Sequence, residues 1–148
     1  MPGTNKRRPI GASMPVYLNQ DDALALWREA LAACVRGDGP DLSARQMSIL
    51  LTVYTLTPPH TVRGLSDSLN ISKPAVSRAL DRLVQLGFVR RRRDDYDRRS
   101  IDVQRTVMGA IFLSQFADQV SEAGRELDSP TPFEAGTPPE SVPADTDY

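Results

Sequence analysis

The stretch Ile71-Ser72-Lys73-Pro74-Ala75-Val76-Ser77-Arg78-Ala79-Leu80-Asp81-Arg82-Leu83, with Arg90-Arg91-Arg92-Arg93-Asp94-Asp95-Tyr96-Asp97-Arg98-Arg99 shortly after it, decides the reading of this chain. The first run has the form of a capped helix. Val76, Leu80, Leu83 and Leu86 recur at helical spacing and point inward, which leaves Lys73, Ala75, Ser77, Arg78, Asp81, Arg82 and Gln85 outside. With Ser72 as N-cap, Ile71 and Val76 form a hydrophobic staple. Pro74 biases Lys73 away from helical geometry, so a frame starting one residue later stays open. Gly87 stops the helix and Phe88-Val89 opens a strand. The return strand alternates, with Ile101 and Val103 on one side and Ser100, Asp102 and Gln104 on the other. Between the strands, Asp94-Asp95-Tyr96-Asp97 is turn-prone.

Upstream, the same rules give three more helices. Asn19 caps the first, Asp22 faces its positive end, and Leu18 can staple to Ala23. Leu24, Trp27, Leu31 and Cys34 form its apolar stripe, widened by Ala23, Leu26 and Ala30, and Gly37 ends it. Ser43-Ala44-Arg45-Gln46 is a capping box opening a second helix, with Met47, Leu50, Leu51 and Tyr54 as its stripe, until Pro58-Pro59 breaks it. Thr61 caps a short third helix with Val62, Leu65 and Leu69 inward, and Asn70 suits a left-handed exit. After the hairpin, Thr106 caps a long helix over 107–127 with Met108, Ile111, Phe112, Phe116 and Val120 at helical spacing. The expected fold is mainly α with a small β-hairpin wing, a winged helix-turn-helix.

A chain of 148 residues has room for one domain of this kind, expected over residues 18–128, with flanking dimerisation helices at about 18–37 and 107–127. Residues 1–17 hold three Pro, two Gly and a Lys6-Arg7-Arg8 cluster without apolar periodicity, and read as a disordered basic arm. Residues 129–148 hold five Pro and scarcely any large apolar side chain, and read as a disordered Pro-rich acidic tail. No stretch approaches the ~18 consecutive apolar residues of a membrane helix. The N-terminus lacks the apolar run of a secretory signal, and the single cysteine fits a reducing cytoplasm.

The net charge of −1 conceals segregation. Residues 61–106 carry eleven Lys/Arg against six Asp, a surplus of five positive charges. Residues 118–148 carry one Arg against eight Asp/Glu, a surplus of seven negative charges. A basic centre suits a polyanionic partner. A helix narrow enough for a DNA groove, beside a cationic two-stranded loop, is what reading a duplex requires.

The candidate DNA-binding residues are therefore Ser72, Lys73, Ala75, Ser77, Arg78 and Arg82 on the helix, and Arg92, Arg98 and Arg99 on the hairpin. Arg78 can fork onto guanine, Ser72 and Ser77 can donate to phosphates or bases, and Ala75 can touch a thymine methyl. An ordinary solvated helix face is the competing reading, and the basic hairpin next to it counts against that. On a strand only two of the four consecutive arginines can address one surface; the others can pair with Asp94, Asp95 or Asp102. Arg98 and Arg99 differ because a turn holds them at a protruding tip, suited to a minor groove. Cys34 reads as a buried small hydrophobe, with a redox-active thiol as the alternative. His60 reads as a loop residue, and Trp27 and Tyr54 as core or dimer packing. No cysteine or histidine cluster suits a metal. No phosphate loop or nucleophile elbow suggests catalysis or a cofactor.

These words in this order resemble the MarR family of bacterial transcription regulators over about residues 20–127. The matching words are Leu42-Ser43-Ala44-Arg45-Gln46, Ile71 to Arg78, Leu86-Gly87-Phe88-Val89, Asp97-Arg98-Arg99 and Thr106-Val107-Met108-Gly109. The resemblance implies a homodimer whose two recognition helices enter successive major grooves of a pseudo-palindromic operator. It also implies that Arg98 or Arg99 reaches a flanking minor groove, with Asp97 positioning the neighbouring guanidinium. A small-molecule pocket near Trp27 and Tyr54 is a further implication, its effector unspecified. Family members often close the dimer with another C-terminal helix, where this chain has its acidic stretch. Arg105 stands where the family usually has an apolar residue.

The expected function is sequence-specific binding of double-stranded DNA as a transcriptional repressor. Alternatives are a winged-helix protein-interaction module, or a plasmid or phage replication or partition factor with the same reading head. A protein-binding module has no need of six arginines in residues 90–99. The charge segregation further predicts that the acidic tail competes for the basic face. Deleting residues 129–148 should tighten binding to random duplex DNA at low salt in a fluorescence-anisotropy titration, and an unchanged affinity would remove that role.

Overall fold

The computed structural model describes residues 18–128; the basic arm and the acidic tail read from the sequence lie outside the described residues. Five helices and one hairpin follow in the order α1 (Gln20–Arg36), α2 (Ala44–Thr55), α3 (Val62–Leu69), α4 (Lys73–Gln85), β1 (Val89–Arg93), β2 (Ile101–Arg105) and α5 (Val107–Asp128). This is the mainly helical winged helix-turn-helix expected from the sequence.

The caps act as their residue types dictate. Asn19 accepts the Asp22 N–H at 2.8 Å. Ser43 Oγ accepts from the Gln46 N–H while Gln46 Oε1 accepts from the Ser43 N–H, closing the capping box. Asn70 leaves α3 in the left-handed region at φ 51°. At α4 the frame with Ser72 as cap is the one adopted. Pro74 falls in the first turn, where a helix has no use for the missing N–H. The far end of α4 closes in a Schellman motif: the Phe88 N–H donates to Leu83 O and the Gly87 N–H to Val84 O, with Gly87 at φ +75°.

The core gathers Ile49, Leu50 and Val53 from α2, Leu65 from α3, Val76, Ala79, Leu80 and Leu83 from α4, and Phe88, Val89 and Val103 from the hairpin. On α2 the apolar stripe differs from the expected one. Ile49 and Val53 are fully buried with Leu50, whereas Met47, Leu51 and Tyr54 are half-buried. The reason is that α2 packs on two sides, against α4 and β2 with one face and towards α1 and α5 with the other. On α1 only Ala30 is buried, and Leu24, Trp27 and Val35 are 69%, 56% and 77% exposed. Met108 and Ile111, on the apolar stripe read for α5, are also exposed.

His60 lies in the loop between α2 and α3, as read from the sequence, but in a buried part of it. Its carbonyl accepts the Val103 N–H at 2.8 Å, and Thr61 bridges Asp102, so this segment adds a short third edge to the hairpin. Its Nε2 is buried without a hydrogen-bond partner.

One knot ties these parts together. Tyr54 Oη accepts the Thr106 N–H at 2.8 Å and lies 2.8 Å from Phe88 O and 2.9 Å from Thr106 O, either of which can take its proton. Thr106 Oγ1 donates to Gly87 O and accepts the Gly109 N–H, capping α5. A Cβ on Gly109 would lie 2.1 Å from Tyr54 Oη and 2.2 Å from Phe88 O, so only glycine fits there. Gly109→Ala should therefore destabilise the fold by about 1–3 kcal/mol through overpacking, read as a lowered midpoint in urea unfolding. An unchanged midpoint would show that the knot does not constrain this junction.

Candidate nucleic-acid interface

The exposed face of α4 is set by helical geometry around the buried Val76, Ala79, Leu80 and Leu83. Ser72, Lys73, Arg78, Asp81, Arg82 and Gln85 are exposed and Ser77 is half-buried. Ala75 corrects its expected outward position: it is buried, one turn before the buried Ala79 on the same edge of the helix. Its methyl is therefore taken up in packing and is not presented to a ligand. The Ser72 hydroxyl oxygen accepts the Ala75 N–H, which leaves its own proton available to an acceptor. Arg82 donates to Gln85 Oε1 at 3.0 Å. Lys73 and Arg78 form no ion pair with any other described residue.

The hairpin divides its arginines by strand alternation. In the antiparallel register Arg91 lies opposite Val103, and Arg93 opposite Ile101. These two therefore share the inner side with Val89, while Arg90 and Arg92 point the other way. Arg90 donates to Gln104 Oε1, and Arg92 sits 3.5 Å from Asp95 in a solvated pair. Arg91 reaches α4, where it meets Asp81 at 2.7 Å and the Ser77 carbonyl at 3.1 Å. Asp102, an expected arginine partner, accepts instead from the His60 N–H and from Gln104 Nε2.

At the tip the aspartates build backbone. Asp94 Oδ1 accepts from the Tyr96 and Asp97 N–H groups, and Asp97 Oδ1 accepts the Arg99 N–H at 3.0 Å. This corrects the role inferred for Asp97: it holds the main chain of the turn, and the described residues show no ion pair between it and Arg98 or Arg99. Arg93, Arg98 and Arg99 are exposed and likewise unpaired among the described residues.

Four roles had gone unread in the sequence. Arg91 joins hairpin to helix across ten positions, a distance with no periodic signature. Arg105 donates to the Val53 and Leu56 carbonyls at 2.7 and 2.8 Å and lies over the Tyr54 ring. Arg105 thus closes the open end of α2. Tyr54 and His60, read as packing and loop, are the other two.

A cavity of about 720 Å³ lies between α1, α2 and α5, lined by Trp27, Leu31, Cys34, Leu51, Phe112 and Phe116 among others. Tyr54 is not part of its wall. Burial, and after it the nearby Asp41 carboxylate, push the Cys34 thiol above its ordinary range, which disfavours the reactive thiolate. Among the described residues no group of His, Cys, Asp and Glu is placed to hold a metal, and no helix is long and apolar enough to cross a membrane.

A sequence model of the MarR family matches residues 42–101. The HTH-type transcriptional regulator PecS of Dickeya dadantii is 32% identical over 91 residues, which is 60% of this chain and 55% of that protein. The match thus spans about half the length of this curated relative. Wild-type MarR from E. coli, in its apo form, is 29% identical with a TM-score of 0.56 over 74% of this chain and 76% of that one. A mutant of the same protein complexed with operator DNA is 27% identical with a TM-score of 0.55, over 74% and 73%. A mutant of S. aureus MepR bound to an oligodeoxyribonucleotide has a TM-score of 0.65 over 76% and 80%, and at 20% identity it shares the fold alone. The caps, the hairpin, the Tyr54 junction and these matches converge: the chain carries a winged helix-turn-helix domain, and its residues 42–101 are similar to the MarR family.

Proposed function

We propose that this protein binds specific double-stranded DNA as a homodimer and regulates transcription, acting as a repressor by covering a promoter. The observation that carries this reading is the set of uncompensated cations on one head. Lys73 and Arg78 on α4 and Arg93, Arg98 and Arg99 on the hairpin are exposed without an acidic partner among the described residues. Uncompensated cations on two adjoining protrusions match a duplex, whose phosphates repay their neutralisation by releasing counterions. In this reading α4 lies in the major groove. Arg78 takes a base edge, Ser72, Lys73, Ser77 and Arg82 take phosphates or bases, and the arginines of the wing, Arg92 included, take the backbone and the flanking minor groove.

The homodimer follows from the apolar side chains left uncovered on α1 and α5. Leu24, Trp27, Leu31, Val35, Val107, Met108 and Ile111 are all exposed. An uncovered apolar face of this kind marks an interaction surface. A second copy would bury it and place two reading heads for a pseudo-palindromic site. The apolar cavity beneath α1 suits a small-molecule effector that would alter DNA binding.

Arg78→Ala should cost ~1–3 kcal/mol on a duplex selected by the wild-type protein and relax discrimination at one base pair, measured by competition with single-base variants. Removing Arg98 or Arg99 should instead weaken all duplexes alike and lower the salt slope by about one each. A wild-type protein whose attachment to duplex DNA shows no salt dependence would end the reading and favour a protein-interaction module. For the dimer, Leu24→Glu should yield a folded protein that sediments as a monomer at micromolar concentration and binds its site weakly. Monomeric wild-type protein under the same conditions would refute the dimer.

A further inference from the structure

We propose that Arg91 is a positioning residue that fastens the hairpin to α4, and that it is not one of the arginines touching the duplex. The inference rests on the DNA-binding reading above and adds to it a division of labour within Arg90–Arg93. Three observations carry it. Strand alternation sends Arg91 inward, opposite the buried Val103. Its guanidinium then meets two acceptors one helical turn apart, the Asp81 carboxylate at 2.7 Å and the Ser77 carbonyl at 3.1 Å. Its side chain is 30% exposed, against 59% for Arg92 in its solvated pair.

A planar guanidinium donating through two nitrogens to two fixed acceptors sets orientation as well as distance, which a lysine ammonium does not. Both acceptors sit on the exposed face of α4 beside Arg78. The bond therefore fixes the angle between the two protrusions that would contact one duplex. It also cancels the only carboxylate on α4, which would otherwise face phosphates. Asp81 is 65% exposed, so the pair contributes little to folding in free protein, because water screens it. When a duplex covers the pair and excludes water, the same contact strengthens. Its effect should thus appear in binding and scarcely in stability.

The test is a double-mutant cycle in the full-length protein, with Arg91→Met, Asp81→Ala and their combination. The probe is a duplex selected by the wild-type protein from a random-sequence pool and titrated at several salt concentrations. Arg91→Met keeps the aliphatic stem and removes both bonds. It should weaken binding about tenfold in the wild-type background, and no more than about two- to threefold in the Asp81→Ala background, with the salt slope unchanged. Arg91→Lys keeps the charge pair and should recover part of the loss; it replaces Arg91→Met should the latter lower the melting temperature. Equal losses in both backgrounds, with a slope lower by about one, would assign Arg91 to a phosphate and overturn the proposal. Unchanged binding by Arg91→Met would overturn it as well, while leaving the DNA-binding reading in place. A wild-type protein that selects no duplex would overturn both.

Discussion

The Tyr54 hydroxyl holds together parts of the chain that share no continuous secondary structure. It sits at the C-terminal end of α2, where it accepts the N–H of Thr106 and lies against the carbonyls of Phe88 and Thr106. Those two residues bracket the hairpin, one at its start and one at its return. A single phenolic oxygen therefore fixes where the wing leaves the body, where it comes back, and where α5 begins. Gly109 makes this possible by leaving no Cβ where the hydroxyl and the Phe88 carbonyl meet. The stacked rings of Phe88 and Phe112, with centroids 4.5 Å apart, carry the same junction into the body of α5. Arg105 supports it from the other side by donating to the last carbonyls of α2 and lying over the Tyr54 ring.

With both ends of the hairpin held, strand alternation settles what each arginine can do. Arg91 on the inner side reaches α4, and Arg90 and Arg92 on the outer side face solvent. The tip is a separate problem, because its backbone groups cannot pair across the ladder. Asp94 and Asp97 solve it by accepting main-chain N–H groups of the turn. Carboxylates placed close to arginines would be expected to neutralise them. At this tip they are occupied with the backbone, and the guanidinium groups of Arg98 and Arg99 remain unpaired among the described residues. A rigid turn with free cations is thereby built from a sequence that, counted by charge alone, looks nearly self-compensating.

Local sequence rules sufficed for the helix boundaries because caps and exits are decided within four or five residues. Asn19, Ser43, Thr61 and Ser72 all cap as their chemistry requires, and Asn70 and Gly87 adopt the left-handed exits. What could not be read were contacts between residues far apart in sequence. Tyr54 and Thr106 stand 52 positions apart, and no periodicity links them. Ala75 shows a different failure. Helical spacing placed it on the outer face, and only the packing of α4 against α2 and α3 turns that edge of the helix inward. The apolar residues of α1 were seen correctly as a stripe, but a stripe does not say whether its own chain covers it.

That last point bears on how the molecule is completed. Buried positions on α1 and α5 include the small residues Ala30 and Ala123, and the two helices pack along each other. Small side chains allow two helices to approach closely, so the larger ones fall to the flanks. On α1 these flanking residues are Leu24, Trp27, Leu31 and Val35, which the other described residues leave exposed. Exposed leucine and tryptophan grouped on one helix mark an interaction surface. In the proposed homodimer a second copy would cover them, because a surface repeated about a twofold axis meets itself.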